Sequence, residues 1–448
     1  MLIADHVAIV GGGFTGTLLA INLLRHGDAH VTLIERRHDR LGRGLAYGAA
    51  QDDHLLNVRA ANMSALPDRP GHFADWLKAR QGGQDASFAT RGTYGLYLRA
   101  LLDEAARDAG ARLRLIEAEA VDIQQTTGAA TVSLGSGERV EADIAVIAPG
   151  NLPPHDLPPF ADLSHPAYID DPWAARLSEG LERQDDVLLL GSGLTAIDCA
   201  LSLQSSGFAG QIVAISRRGL MPHAHAPVSM GTPLPERPTG SASQLVRQVR
   251  ARALETGWRA AVDELRPFTQ DLWRSASAQE RARFLRHLRP YWDVHRHRIA
   301  EEVDSQLQAL QDSGQLRIHR SRLQRVWREG GAVQLSGRDA SGNEQQWTIG
   351  GVINATGVET RASALRNPLL QQLQTDGLAR PGPHGLGLDS TVPGDRLCAT
   401  GGQPQARLGV LGSLRIGSLW ESLAVPELRQ QAHALATQVV AGAATAMP

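Results

Sequence analysis

The stretch His6-Val7-Ala8-Ile9-Val10-Gly11-Gly12-Gly13-Phe14-Thr15-Gly16-Thr17-Leu18-Leu19-Ala20-Ile21 decides the reading of the N-terminal part. Five residues in a buried-strand pattern run into a glycine-rich turn, and that turn opens a segment whose apolar residues recur at helical spacing. Gly11 permits the tight turn, Gly13 lets backbone approach a pyrophosphate, and Gly16 allows close packing of helix on strand. The helix start at Phe14 and Thr15 then presents free N–H groups and a positive dipole end to phosphates. The next apolar run, His30-Val31-Thr32-Leu33-Ile34, ends in Glu35 and Arg36. A carboxylate at the position of Glu35 can accept hydrogen bonds from an adenosine ribose. Strand, turn, helix, strand and terminal acid in this order predict a dinucleotide-binding unit.

The pattern returns 180 residues later. Asp186-Val187-Leu188-Leu189-Leu190 is strand-like, Gly191-Ser192-Gly193-Leu194-Thr195-Ala196 is the turn, and a helix-like run follows with Ala196 in place of the third glycine. Here the following strand, Gln211 to Ile215, ends in Ser216-Arg217-Arg218 where the first unit has Glu35. A carboxylate would repel a ribose 2′-phosphate, whereas Ser216 can hydrogen-bond it and the guanidinium of Arg217 or Arg218 can clamp it. The second unit therefore reads as a site for NADPH rather than NADH. Two such units in one chain are the arrangement of proteins that pass electrons from a nicotinamide to a flavin.

With 448 residues, the chain is long enough for two or three domains. A net charge of −2 gives no electrostatic case for nucleic acid or an anionic membrane. No apolar run is long enough to span a bilayer, and the N-terminus enters the first strand too soon to leave room for a cleaved signal. There are two cysteines, Cys199 and Cys398, and no C-x-x-C, so a disulfide of the glutathione- or thioredoxin-reductase type is not expected. A reducing cytoplasm is the expected setting.

Two apolar runs ending in small residues, 142–150 and Gly351-Val352-Ile353-Asn354-Ala355-Thr356-Gly357, mark crossings between domains. The proline-rich 151–159 reads as a linker, since proline cannot donate to a continuing ladder. The expected fold class is α/β, with two Rossmann-like dinucleotide-binding domains and a helical insertion. Residues 1–150 would form the first segment of an FAD-binding domain. Residues 155–350 would form the NAD(P)H-binding domain, with a strand-poor insertion over about 220–315, and residues 351–448 would complete the FAD domain.

Further segments carry a resemblance: 42–48, 54–58, 91–98, 191–198, 216–220 and 288–296 (Leu288-Arg289-Pro290-Tyr291-Trp292-Asp293-Val294-His295-Arg296). Through them the chain resembles the bacterial FAD/NAD(P)-binding proteins. It is more distantly similar to flavin-dependent N-hydroxylating monooxygenases. The F-x-G-x-x-x-H-x-x-x-W fingerprint of Baeyer–Villiger enzymes is not found. The resemblance implies FAD in the first site and a nicotinamide in the second. It also suggests where a flavin would be gripped: the glycine-flanked loop Gly44 to Gly48, with Tyr47, and Asn57, whose amide can both donate and accept near the reactive ring edge. Asn57 is equally readable as a surface-turn residue. Arg91, Tyr94 and Tyr97 would line the same cleft or simply pack. Thr356 and Gly357 close the returning strand, and Gly402 takes the place where related flavoproteins put an aspartate against the ribityl chain, leaving backbone N–H groups for that contact. The run from Leu414 could begin a helix aimed at the flavin.

The histidines 223, 225, 295 and 297 come in pairs two apart, poorly placed for a shared metal on a helix, and no Cys/His/Asp set has zinc-like spacing. No metal is expected. Asp293 and His297 are i,i+4 neighbours and read either as a proton-handling pair or as an ordinary helix-surface pair. The expected activity is reduction of FAD by NADPH, followed by reaction with oxygen and hydroxylation of a small molecule. A reductase feeding a small acceptor or partner protein, and a non-enzymatic nucleotide-binding protein, stay open beside it.

Overall fold

In the computed structural model the described residues are 4–48, 54–81, 88–161, 163, 168–174, 177, 181, 185–226 and 234–446. The first stretch carries β1 (His6–Val10), β2 (His30–Glu35), β3 (Leu113–Glu117), β4 (Ala120–Gln125), β5 (Ala130–Leu134), β6 (Arg139–Ala142) and β7 (Ile144–Ile147). The middle carries β8 (Tyr168–Ile169), β9 (Val187–Leu190), β10 (Ile212–Ser216), β11 (Leu316–Glu329), β12 (Ala332–Asp339), β13 (Glu344–Ile349) and β14 (Gly351–Ile353). Two strands, β15 (Arg396–Cys398) and β16 (Pro404–Val410), complete the set. They form a six-stranded sheet in the order β15-β16-β7-β1-β2-β3, a seven-stranded sheet β13-β12-β11-β10-β9-β14-β8, and a small antiparallel sheet β4-β5-β6.

Both large sheets are parallel at their centres and covered on both faces, which is why their strands read as unbroken apolar runs rather than alternating ones. One face of the first sheet packs under helices α1 (Phe14–His26) and α2 (Arg91–Ala109), together with the C-terminal helix α4 (Val425–Ala446). The other face packs on the small sheet and on the segment 365–388. Helix α3 (Leu194–Ser205) and the helix Glu301–Asp312 cover one face of the second sheet. In α1 every residue from Phe14 to Leu24 is buried, and each fully buried Leu or Ile contributes roughly 1.5–3 kcal/mol.

The sheet assignment moves one boundary. β14 pairs in parallel with β9 and β8, so Gly351–Ile353 completes the second sheet instead of opening the last segment of the first domain. The return crossing therefore falls after Gly357. It runs beside the outgoing crossing: the Asn354 amide donates to the His155 carbonyl at 3.0 Å and the Glu359 N–H donates to the Leu152 carbonyl at 3.2 Å.

Among the described residues between β10 and β11 the elements are helices, apart from a single Ala224–Ile299 bridge, the longest helix being Ala242–Thr256 with a Ser241/Gln244 capping box. This insertion docks on the first domain through Trp273, whose indole N–H donates to the Gly417 carbonyl at 2.8 Å, and Trp292, whose indole N–H donates to Glu421 at 2.8 Å. Among the described residues no helix is long and apolar enough to cross a membrane.

A Cβ at Gly11 would lie 2.2 Å from the Ala148 carbonyl oxygen, on a residue whose φ is +107°. Gly11→Ala should cost more than about 3 kcal/mol of unfolding free energy. Gly314→Ala meets nothing within 4 Å and carries backbone strain alone (φ +77°), so it should cost about 1–2 kcal/mol. Urea unfolding of the two variants beside the parent checks the contrast.

Candidate functional site

The first cradle is built at the carboxyl edge of the six-stranded sheet. The Gly11 N–H donates to the Ile34 carbonyl at 2.9 Å, which pins the turn to the end of β2. Gly16 has the close approach its position demands, since a Cβ there would lie 2.0 Å from the Gly11 carbonyl oxygen. The first helical bond runs from the Thr17 N–H to the Gly13 carbonyl, and no side chain caps Gly13. The N–H groups of Phe14, Thr15 and Gly16 thus have no intrahelical acceptor, as a phosphate site requires. Glu35 accepts from the Gly12 N–H at 2.9 Å through one oxygen. Arg36 beyond it is exposed.

Against this turn lies the loop carrying Gly44. The Gly42 N–H donates to the Gly12 carbonyl at 2.9 Å, and a Cβ on Gly44 would stand 3.0 Å from the Gly13 Cα. Two glycine-rich backbones therefore meet with no side chain between them. Tyr47 sits edge-on to Phe14 and Tyr94, with ring centroids 6.1 and 4.8 Å apart. Tyr94 and Tyr97 are fully buried in the core and pack with Phe73, so the pair is structural.

A third wall is the loop after β16, where Gly412 and Ser413 directly precede the run from Leu414 that is expected to aim a helix at the flavin. β16 runs parallel to β7 with Val410 beside Ile147, so Gly412 and Ser413 emerge at the cradle edge. A Cβ on Gly412 would lie 3.4 Å from the Thr15 hydroxyl, and the Ser413 hydroxyl donates to the Gly150 carbonyl at 2.7 Å. The same register corrects the expectation for Gly402. It lies in the β15–β16 turn at the amino edge of the sheet, beside Arg380, and takes no part in the cradle. Cys398 ends β15, an antiparallel edge strand, and Gly402 lies in the turn that follows it. The better signal was the run Leu408-Gly409-Val410-Leu411 stopping at Gly412. From there the chain makes one tight turn, 412–415, and a four-residue helix, 416–419.

The second cradle repeats the first. Gly191 has φ +117°, its N–H donates to the Ile215 carbonyl at 2.9 Å, and a Cβ there would lie 2.6 Å from the Ala355 carbonyl oxygen. Around a Cβ at Gly193 there would be nothing within 4 Å, so this turn is open where Leu194 and Thr195 start α3. Thr356 and Gly357 form its floor, with the Thr356 hydroxyl bonded to the Asn354 side chain at 2.7 Å and Gly357 facing Thr195. The hydroxyl of Ser216 lies 2.8 Å from that of Ser192 and accepts from the Gly219 N–H at 2.9 Å, so it shapes the corner from within. Arg217 is exposed there, and Arg218 lies over the Tyr291 ring at 5.4 Å.

The two cradles are joined by polar contacts. Arg91 at the start of α2 donates to Asp198 of α3 at 2.8 Å, both side chains mostly buried. His54 meets the Ser202 hydroxyl at 2.8 Å. The Asn57 carbonyl accepts from the His225 ring at 3.0 Å, placing Asn57 at this joint rather than in a free surface turn. Asp293 is partnered by Arg289 at 3.5 Å, and burial raises its carboxyl to about 6. Burial lowers His297 to about 4. Both thiols are buried, Cys199 in α3 and Cys398 in β15, and burial raises the pKa of each. Among the described residues no group of three or more His, Cys, Asp or Glu could hold a metal ion.

Residues 8–152 match the model of an FAD-NAD(P)-binding family. No match is found among curated proteins. Among solved structures, an ornithine hydroxylase from Pseudomonas aeruginosa superposes with a TM-score of 0.64 at 18% identity, over 98% of this chain and 99% of that one. An ornithine N-hydroxylase from Kutzneria sp. 744, determined with reduced FAD, NADP+ and L-ornithine, gives 0.64 at 16% identity over 98% and 99%. A cadaverine monooxygenase from Erwinia amylovora, bound to FAD, gives 0.67 at 14% identity over 98% and 95%. The chain has the fold of these proteins, and its N-terminal third is similar to the FAD-NAD(P)-binding family.

His225 yields a pH test of the joint. Burial lowers its pKa from 6.5 to about 4. Below pH 6.5 the unfolded chain takes up a proton that the folded chain refuses, so stability falls as pH drops from 6.5 towards 4. His225→Gln keeps a donor for the Asn57 carbonyl without that proton. Its thermal midpoint should fall less steeply than the parent's across this window.

Proposed function

We propose that this chain is an FAD-dependent, NADPH-using monooxygenase that hydroxylates a small molecule at the expense of oxygen. One observation carries the reading: the same glycine turn is built twice, with a carboxylate ending the second strand of the first unit and Ser216-Arg217-Arg218 ending that of the second. The first cradle fits FAD, since its turn, its uncapped helix start and the Gly44 backbone leave room for a pyrophosphate. Gly11, Gly13, Phe14, Thr15, Gly16, Glu35 and Gly44 would hold it, with Tyr47, Asn57, Gly412 and Ser413 as further neighbours. Gly191, Gly193, Leu194, Thr195, Thr356 and Gly357 would hold NADPH, with Arg217 and Arg218 towards its 2′-phosphate.

When bound, FAD supplies the capacity to accept a hydride and to pass electrons onward. The chain's own work is placement. The Arg91–Asp198 pair and the His225–Asn57 contact fix the orientation of one cradle against the other. The tryptophans of the insertion cover the segment that leaves Gly412, which excludes water from that side. Electrons have no dithiol to go to, because Cys199 and Cys398 lie in different domains. Small amines are the first substrate class to test, by analogy with the hydroxylases of similar fold. A cytoplasmic setting belongs to the same reading.

Anaerobic addition of NADPH to the flavin-loaded protein should bleach the flavin, and amine-dependent incorporation of label from oxygen gas should follow on aeration. NADPH consumption with stoichiometric peroxide and no hydroxylated amine would support the reductase reading, and an unbleached flavin would leave only nucleotide binding. Arg217→Ala should weaken NADPH roughly tenfold or more while sparing NADH. Equal loss for both nucleotides, read by stopped-flow bleaching, would count against phosphate recognition.

A further inference from the structure

The two cradles can be compared strand by strand, and the comparison reaches a residue outside both motifs. In the first sheet β2 pairs in parallel with β3, and Glu35 is in register with Glu117. In the second sheet β10 pairs in parallel with β11, and Ser216 is in register with Arg320. Registered residues of parallel neighbours share a sheet face. Ile212 and Ala214 of β10 and Leu316 of β11 lie in one core cluster under α3, with Ile318 packed against it, so Ser216 and Arg320 continue that face beyond the core. The paired residues that end the two registers are both acidic in the first unit and are a hydroxyl and a guanidinium in the second, where β11 itself runs on to Glu329.

The local geometry gives Arg320 a place in the corner. Its Cβ lies 3.0 Å from where a Cβ on Gly219 would stand, so the loop from Ser216 to Gly219 rests on the base of the Arg320 side chain with nothing between. Ser216 accepts the Gly219 N–H, the same duty that Glu35 performs for Gly12 and Glu117 for the N–H of His38 at 3.1 Å. Arg320 has no such duty and is exposed, and among the described residues neither it nor Arg217 is in an ion pair. Unneutralised guanidiniums around a hydroxyl-lined strand end suit a phosphate dianion and not a ribose diol.

We propose that Arg320 is a specificity-determining residue that, with Arg217, binds the ribose 2′-phosphate of NADPH from the neighbouring strand. The proposal rests on the assignment of NADPH to the second cradle. Calorimetric titration with 2′,5′-ADP and with 5′-AMP tests it without turnover. The parent should prefer 2′,5′-ADP. Arg320→Met should lose roughly 10- to 100-fold of affinity for 2′,5′-ADP with 5′-AMP unchanged, and Arg320→Lys should recover part of the loss. The exposed position predicts an unchanged thermal midpoint for both variants. Arg320→Met with the parent's preference intact would overturn the role of Arg320 alone. A parent that binds neither ligand would overturn the nucleotide assignment and this proposal with it.

Discussion

Both cradles depend on one steric constraint: a strand-end carbonyl occupies the space of a side chain. The Ala148 oxygen does so at Gly11, and the Ala355 oxygen at Gly191. In each unit the backbone of the central strand's turn touches the peptide that ends its neighbouring strand, β7 in one case and β14 in the other. Those peptides, Ala148-Pro149-Gly150 and Ala355-Thr356-Gly357, are also where the chain leaves one domain for the other. Floor of the site and link between domains are thus the same few residues. A change in the crossing cannot leave the turn undisturbed, because there is no side chain to absorb it.

Helical packing then holds the two units against each other. Arg91 at the start of α2 meets Asp198 in α3, the helix that opens from the second turn, and a buried pair of this kind is costly to break from one side. On the far side the insertion closes onto the first domain through charged contacts. Arg296 lies 3.2 Å from Glu427 and 3.7 Å from Glu421, all three side chains being buried or nearly so. Glu421 also accepts from the Trp292 indole, so the segment just beyond Gly412 and Ser413 is gripped by charge and by aromatic stacking together.

Much of this was legible in the residues, for a physical reason. A strand buried on both faces has to be a short apolar run, and a turn touching backbone has to be glycine, so β1, β2, β9, β10 and the turns at Gly11 and Gly191 announced themselves locally. What escaped depended on pairing partners distant in the chain. Gly351–Ile353 could be assigned to the second sheet only by its register with β9, and Gly402 could be separated from Gly412 only by knowing which strand runs parallel to β7. The Ser216 hydroxyl accepts from Ser192, 24 residues away on the turn after β9, a contact that no local pattern announces. Arg320 belongs to the same class, since its place beside Ser216 is set by a strand more than a hundred residues away.

The central claim is that one chain holds two dinucleotides at once, one in each cradle. Native mass spectrometry of the chain mixed with FAD and NADP+ tests it most directly. The expected spectrum shows one FAD and one NADP+ per chain, with Gly16→Val removing the FAD mass and Gly191→Val removing the NADP+ mass. A single bound dinucleotide that either substitution abolishes, or no bound mass at all, would contradict the account.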